Sequence, residues 1–209
     1  MTTSINLDDE FDSEIEHDAG KMPGRWTNVV LLSFAGLVDG VEGGILGILF
    51  TVMRPALGLA TSALGFIAAL GKLVGAIFGP LWGMAGDRYN RKAILVFATG
   101  VWGIWTIALG MVNNYTQVLI LVAISAAGAS ATTPVTNSVL SDLFTDKTRG
   151  WAKGVWAGIT GILGIIAIVM VGQLENVPDG WRMGYYAAGG LSVLSGICLL
   201  YTSPSPRDS

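Results

Sequence analysis

Six stretches of this 209-residue chain are apolar over a length that matches a lipid bilayer, and no other feature restricts its fold as much. Roughly 20 apolar residues carry a helix across a bilayer core. In that medium each backbone polar group must be satisfied by the protein itself, which favours unbroken helical hydrogen bonding. Expected helices run from about Asn28 to Val52, closed by Arg54-Pro55, and from about Thr61 to Met84. The third runs from about Ala93 to Met111 and stops at Asn113-Asn114; the fourth runs from about Gln117 to Leu143, with Pro134 as a kink. The last two run from about Val155 to Leu174 and from about Met183 to near Ile197. Composition agrees: 52% of residues are hydrophobic and 13% charged, where a soluble domain carries roughly 25% charge. The expected class is an all-α, polytopic membrane protein, a bundle of six transmembrane helices.

Three segments follow from this reading. Residues 1–25 hold Asp8, Asp9, Glu10, Asp12, Glu14, Glu16 and Asp18, an acidic tail too poor in apolar residues to bury a core, and expected to be disordered. It accounts for most of the acidic excess behind the net charge of −3, and it lacks the basic start and apolar stretch of a secretory signal. Residues 26–197 form the six-helix unit. Residues 198–209 contain CLLYTSPSPRD, which resembles the translation of a transposase sequencing adapter. That segment is expected to be non-native, and the reading frame truncated near Ile197. The single cysteine, Cys198, excludes an intrachain disulfide framework and a cysteine-rich metal site. The lone histidine, His17, lies in the acidic tail and reads as a solvated residue.

Charge asymmetry orients the spans. Lys21, Arg25, Arg88, Arg91, Lys92, Lys147, Arg149 and Lys153 fall on one side, and Arg54 and Arg182 on the other. The positive-inside rule then puts the N-terminus, the second-to-third loop and the fourth-to-fifth loop in the cytoplasm. Trp26, Tyr115, Trp151 and Trp181 sit near span ends, as in an interfacial aromatic belt. Glycine recurs at every fourth position: Gly36, Gly40 and Gly44; Gly71, Gly75, Gly79 and Gly83; Gly150, Gly154 and Gly158. Ladders of small residues let helices approach closely in lipid.

Three ionisable residues lie at mid-depth. Asp39 and Glu42 are about 16 Å along the first helix and share a face. Lys72 has a similar depth in the second helix. A charge there costs at least about 2.5–3.5 kcal/mol, so these groups should face the bundle or a water cavity, paired with one another. One acid would bind a proton or coupling ion while Lys72 tunes it or holds an anionic solute group; the bland alternative is a structural ion pair. The fourth helix adds Ser125, Ser130, Thr132, Thr133, Thr136, Asn137 and Ser138. Of these, Thr133 and Asn137 join the candidate solute site, although such residues can also bond back to their own helix.

The string GPLWGMAGDRYNRK ends the second helix, turns and opens the third. It resembles the major facilitator signature G-x-x-x-D-R-x-G-R-K, with Gly83, Asp87, Arg88, Arg91 and Lys92 matching. Asn90 stands where glycine is usual, and asparagine tolerates the left-handed backbone that a tight turn can require. Ser141-Asp142-Leu-Phe with Arg149-Gly150, and Asp179-Gly-Trp-Arg182, are similar to further family features. Together they cover about Trp26 to Gly196, the N-terminal half of a major facilitator fold, most similar to its Spinster-type members. The resemblance implies a conformational latch of Gly83, Asp87, Arg88, Arg91, Lys92, Asp142 and Arg149. In it Arg88 or Arg91 reaches Asp142, and Asp87 docks on a second half. Where many proton-coupled members place an arginine four residues before a glycine, this chain has Ile124 before Gly128, which leaves facilitated diffusion open.

The implied function is secondary transport of a small organic solute, with or without a co-transported proton or ion, in an integral membrane protein that needs a missing C-terminal six-helix half. The alternatives are a channel and a non-transporting scaffold or receptor on the same fold. No nucleophile–base pair, phosphate-cradling loop or metal motif points to an enzyme, and no cofactor, metal or nucleic-acid partner is expected.

Overall fold

The computed structural model describes residues 25–200. The acidic tail with His17, and residues 201–209, lie outside the described residues. Six helices of membrane-crossing length follow one another: α1 (Arg25–Ala56), α2 (Ala63–Arg88), α3 (Arg91–Leu109), α4 (Tyr115–Leu143), α5 (Arg149–Gly172) and α6 (Gly180–Leu200). Most run further than their apolar cores. Arg54-Pro55 does not close α1, because Pro55 sits inside its last turn. The stop is a Schellman turn, in which Leu59 N–H bonds Arg54 O at 2.9 Å and Gly58 N–H bonds Pro55 O at 3.3 Å, with Gly58 at φ +62. At the other end of the described residues, α6 runs through Ile197 to Leu200 without a break.

Contacts between helix ends define two sides. At one, Trp26 meets Phe144 and Trp151 edge-to-face, and Lys92 Nζ donates to Leu200 O at 2.6 Å. The start of α1, the α2–α3 turn, the α4–α5 loop and the end of α6 therefore share one side, which carries Arg88, Arg91, Lys92, Lys147, Arg149 and Lys153. At the other, Thr51 donates to Glu175 at 2.6 Å, and Arg182 donates to Gly110 O and Asn113 Oδ1 at 2.8 and 3.0 Å. The sidedness of charge read from the sequence is thus a property of the folded bundle.

Packing divides the glycines differently from the sequence pattern. On α2 the ladder works: Cβ atoms added at Gly71 and Gly75 would lie 3.6 Å from Val122 and 3.8 Å from Ser130, both of α4. On α1 only Gly36 meets a neighbour, Trp156 at 3.2 Å, whereas Gly40 meets nothing and Gly44 only Ile48 of its own helix. Gly150, Gly154 and Gly158 of α5 face open space. One close crossing of two helix backbones is one that periodicity did not mark. Gly100 of α3 and Gly196 of α6 cross with room for neither Cβ, each falling 2.3–2.7 Å from the other's Cα. The crossing sits in a π-helical turn of α3 (Val96–Val101), where one extra residue per turn re-aims the helix.

α1 lies against α5, α6 and the second part of α4, α2 lies against α4, and α3 lies against α6 and α4. Two apolar blocks result. One gathers Ile45, Leu49, Met53, Ile67, Val118, Trp181 and Tyr185; the other gathers Val29, Leu32, Ile94, Val135, Leu140 and Phe144. Between them run buried Thr99, Thr106, Thr132, Ser192 and Ser195. Trp181 is 1% exposed, so it belongs to the first block and not to an aromatic belt. α5 buries none of its most apolar stretch and α2 almost none. Gly196→Val should therefore destabilise the purified chain by about 2–3 kcal/mol through overpacking. Gly158→Val on the open face of α5 should stay within about 0.5 kcal/mol. Thermal unfolding in detergent, followed by circular dichroism, measures both.

Candidate functional site

The signature segment is mostly helix. Gly83, Asp87 and Arg88 belong to the last turns of α2, and only residues 89–90 lie between helices. Asn90 has φ −60 and ψ 115, extended rather than left-handed, so the expectation of a left-handed turn residue fails. Its role is an N-cap: the side-chain oxygen accepts from Ala93 N–H at 2.9 Å and satisfies a donor that glycine would leave to water. Arg91 is 5% exposed and ties three helices together. Its guanidinium donates to Gly86 O at 3.1 Å and Ser138 O at 3.2 Å, pairs with Asp142, and lies 3.7 Å from Asp87. Of the two arginines expected to reach Asp142, Arg91 does so and Arg88 remains exposed. Asp87 is itself 72% exposed. Arg149 reaches back to Ser141 O at 3.2 Å and to Asp146 at 2.9 Å. Lys92 turns away towards the end of α6.

Pro134 breaks α4 as expected, into Tyr115–Ala129 and Thr132–Leu143. At the break Ala131 N–H turns to Gly128 O. The Ala127 carbonyl is taken up by Ser130 Oγ at 2.8 Å and by the Trp82 indole of α2 at 2.6 Å. The Trp102 indole of α3 donates to Ile124 O at 2.6 Å. It can lie there because residue 128 is glycine; a Cβ would fall 2.1 Å from the ring. The pair Ile124 and Gly128, noted above for its missing arginine, thus seats a tryptophan.

Beside this break a cleft of about 610 Å³ opens between α1, α2 and α4, floored by α3 and α6. Its walls are largely aliphatic, among them Leu46, Leu64, Ile67, Leu109 and Val122. Its polar groups are Glu42, Lys72, Thr106, Ser125, Ser130 and Tyr185. Glu42 faces the hydroxyls of Thr106 and Ser192. Asp39, one turn nearer the basic side, faces Thr132 and lies outside the cleft. The expected ion pair is not formed, since Lys72 bonds neither acid. The reason is placement: α1 and α2 both line the cleft but touch only sparsely. Asp39 Oδ2, Glu42 Oε1, Ser125 Oγ and the Tyr185 hydroxyl are buried with no hydrogen-bond partner among the described residues.

Of the residues expected at the solute site, the cleft brings together Glu42 and Lys72. Thr133 is exposed and Asn137 half-buried on the segment of α4 beyond the break, outside the cleft. Thr106, Tyr185 and Ser192 escaped the sequence reading, because a hydroxyl in an apolar helix carries no pattern that shows where it points. The Gly-Trp-Arg string has a structural basis. Gly180 is packed under Leu174 O, and Arg182 stacks 4.3 Å from the Trp181 ring centroid while bonding the α3–α4 loop.

A bundle of six membrane-length helices with ionisable groups midway along two of them and an arginine-tied cap at its basic end defines an all-α, polytopic membrane fold. The chain matches the Major Facilitator Superfamily over residues 32–209 and belongs to that family. It is 24% identical over 175 residues to Quinidine resistance protein 1 of Saccharomyces cerevisiae, covering 84% of this chain and 30% of that protein. It is 25% identical over 184 residues to the 4-hydroxybenzoate transporter PcaK of Pseudomonas aeruginosa, covering 87% of this chain and 40% of that protein. Among solved structures, a bacterial homologue of the human lysosomal transporter Spinster, inward-facing and unoccupied, superposes with a TM-score of 0.78. The two share 19% identity over 90% of this chain and 45% of the other, a likeness of fold alone. The chain thus spans less than half the length of these proteins.

Removing one partner from a buried ion pair leaves the other charge uncompensated. Arg91→Ala should therefore cost about 3–5 kcal/mol, against less than about 0.5 kcal/mol for the exposed Arg88→Ala. Chemical denaturation of the two variants in the same detergent tests the difference.

Proposed function

We propose that this chain is the first six-helix half of a secondary transporter that moves a small organic solute by alternating access. The observation that carries the reading is the mid-membrane cleft, lined by Glu42 of α1 and Lys72 of α2, which form no ion pair among the described residues. Ionisable side chains at that depth are costly and mark ion or solute paths, and a carrier binds near the midplane between repeats that rock about it. The nearly unburied stretches of α2 and α5, and the open glycines on α1 and α5, supply surface for a second six-helix unit. That the chain covers less than half of its relatives supports the same picture.

In this reading the basic side is cytoplasmic, and the cap built on Arg91 and Asp142 holds α2, α3 and α4 as one rigid piece. Asp87, projecting from it, is the latch that meets the second unit. Asp39 or Glu42 carries the coupling proton or ion. For Glu42 the hydroxyls give a reason: Ser192 already donates its hydrogen to Thr99 O at 2.7 Å. Towards Glu42 it can only accept, which suits the protonated carboxyl. Thr133 and Asn137 lie on the path from the cleft to the cytoplasmic side.

Two outcomes follow for the full-length protein in proteoliposomes. Counterflow across a panel of organic anions, cations and neutral solutes should find a carried class, and Glu42→Gln should remove gradient-driven accumulation of it while counterflow persists. No counterflow for any class would leave a membrane scaffold, and accumulation untouched by Glu42→Gln would remove that residue from coupling. Asp87→Asn should shift the balance of inward- and outward-facing forms, read by cysteine accessibility on the two sides; an unchanged balance sinks the latch.

A further inference from the structure

We propose that the cleft between α1, α2 and α4 binds an organic monocarboxylate with an apolar body, held by Lys72 and the hydroxyls of Ser125 and Tyr185; the assignment rests on the reading of this cleft as a solute site. Its volume of about 610 Å³ falls within the range of small-molecule sites, which are mostly apolar with a few convergent polar groups. The chemistry of the occupant follows from which of those groups are already engaged.

Ser130 gives its hydrogen to Ala127 O at 2.8 Å. Thr106 faces Glu42. Beside Glu42, whose Oε1 is itself unpartnered among the described residues, three polar groups are left over. Tyr185 is 2% exposed, and its hydroxyl has no partner among the described residues. Ser125 Oγ is buried and equally unpartnered. Lys72 lines the same cleft and forms no ion pair among the described residues. All three are donors, and an ammonium is a donor only.

A carboxylate is acceptor-only, with about four lone-pair sites, so it can take the Lys72 ammonium and both hydroxyls as donors at once. With Glu42 protonated, a ligand ammonium would find no anionic partner and would meet the like charge of Lys72, whereas a carboxylate meets Lys72 alone. A polyhydroxylated solute needs donors and acceptors spread over the walls, and here the walls are Leu46, Leu64, Ile67, Leu109 and Val122. Those side chains suit an aliphatic or aromatic body instead. Charge complementarity and wall chemistry point to the same amphipathic anion.

The test uses ligands of one chain length and different head groups: octanoate, octanol, octylammonium and 8-aminooctanoate, titrated into the purified full-length protein by isothermal calorimetry. Octanoate should bind at least tenfold more tightly than octanol or octylammonium. Lys72→Met should weaken octanoate at least tenfold and leave octanol unchanged, which also reports that the variant is folded. Lys72→Arg should retain octanoate, and Tyr185→Phe should weaken it about threefold. Equal or tighter binding of octylammonium or 8-aminooctanoate, no binding of any of the four, or an octanoate affinity indifferent to Lys72→Met would overturn the proposal. Counterflow separates the two readings. Selective octanoate binding without counterflow removes transport and keeps the anion site, whereas counterflow restricted to cations or neutral solutes keeps transport and removes the anion site.

Discussion

The Ala127 carbonyl, released where α4 breaks, lies in a region where a lipid-embedded protein has little water to offer it. An unsatisfied carbonyl there costs several kcal/mol, and the surrounding helices are arranged to meet it. Trp82 of α2 and Trp102 of α3 each send an indole N–H into this stretch of α4, one to Ala127 and one to Ile124. Their rings meet edge-to-face at 6.3 Å. Because Trp102 can enter only over Gly128, the register of α3 on α4 is set by a missing side chain. α3 in turn carries the π turn that seats Gly100 on Gly196 of α6. The break, the two tryptophans and the glycine crossing link α2, α3, α4 and α6.

At the basic end the same logic is electrostatic. Arg91 is almost wholly buried and can be so because each face of its guanidinium has an acceptor: two backbone carbonyls, Asp142 and, more distantly, Asp87. A buried ion pair gains little stability over an apolar replacement, but it demands one geometry. The cap therefore defines how α2 meets α4, and it leaves Asp87 facing outward. Between this cap and the opposite apolar block lies the band of threonine and serine hydroxyls that borders Asp39 and Glu42.

Much was legible in the sequence. Six helices, the sidedness of their charge and the kink at Pro134 follow from residue type and spacing, because hydropathy and charge act over any fold that crosses a membrane. A contact to Asp142 was implied by the resemblance with Arg88 and Arg91 both open, and packing selects Arg91. The glycine ladders were legible only in part. A period of four places small residues on one face without saying what covers that face, so α2 packs through its ladder while α1 and α5 keep most of theirs open. Asn90 was misread for a related reason. The side chain suits both a left-handed turn and an N-cap, and only the path of the chain into α3 selects the cap.

The sequence by itself determined a membrane-spanning helical class, the two sides of the bundle and the presence of charge at mid-depth, since each of these depends on composition along a single helix. Which charges meet was decided by tertiary structure alone. Lys72 and Glu42 share a depth, yet α1 and α2 stand apart, so they line one cleft without pairing. Thr106 of α3 and Tyr185 of α6 join them in the cleft, and Ser192 of α6 faces Glu42, because the packing of those helices turns their hydroxyls inward. Depth is written along one helix, whereas facing depends on how each helix turns against its neighbours.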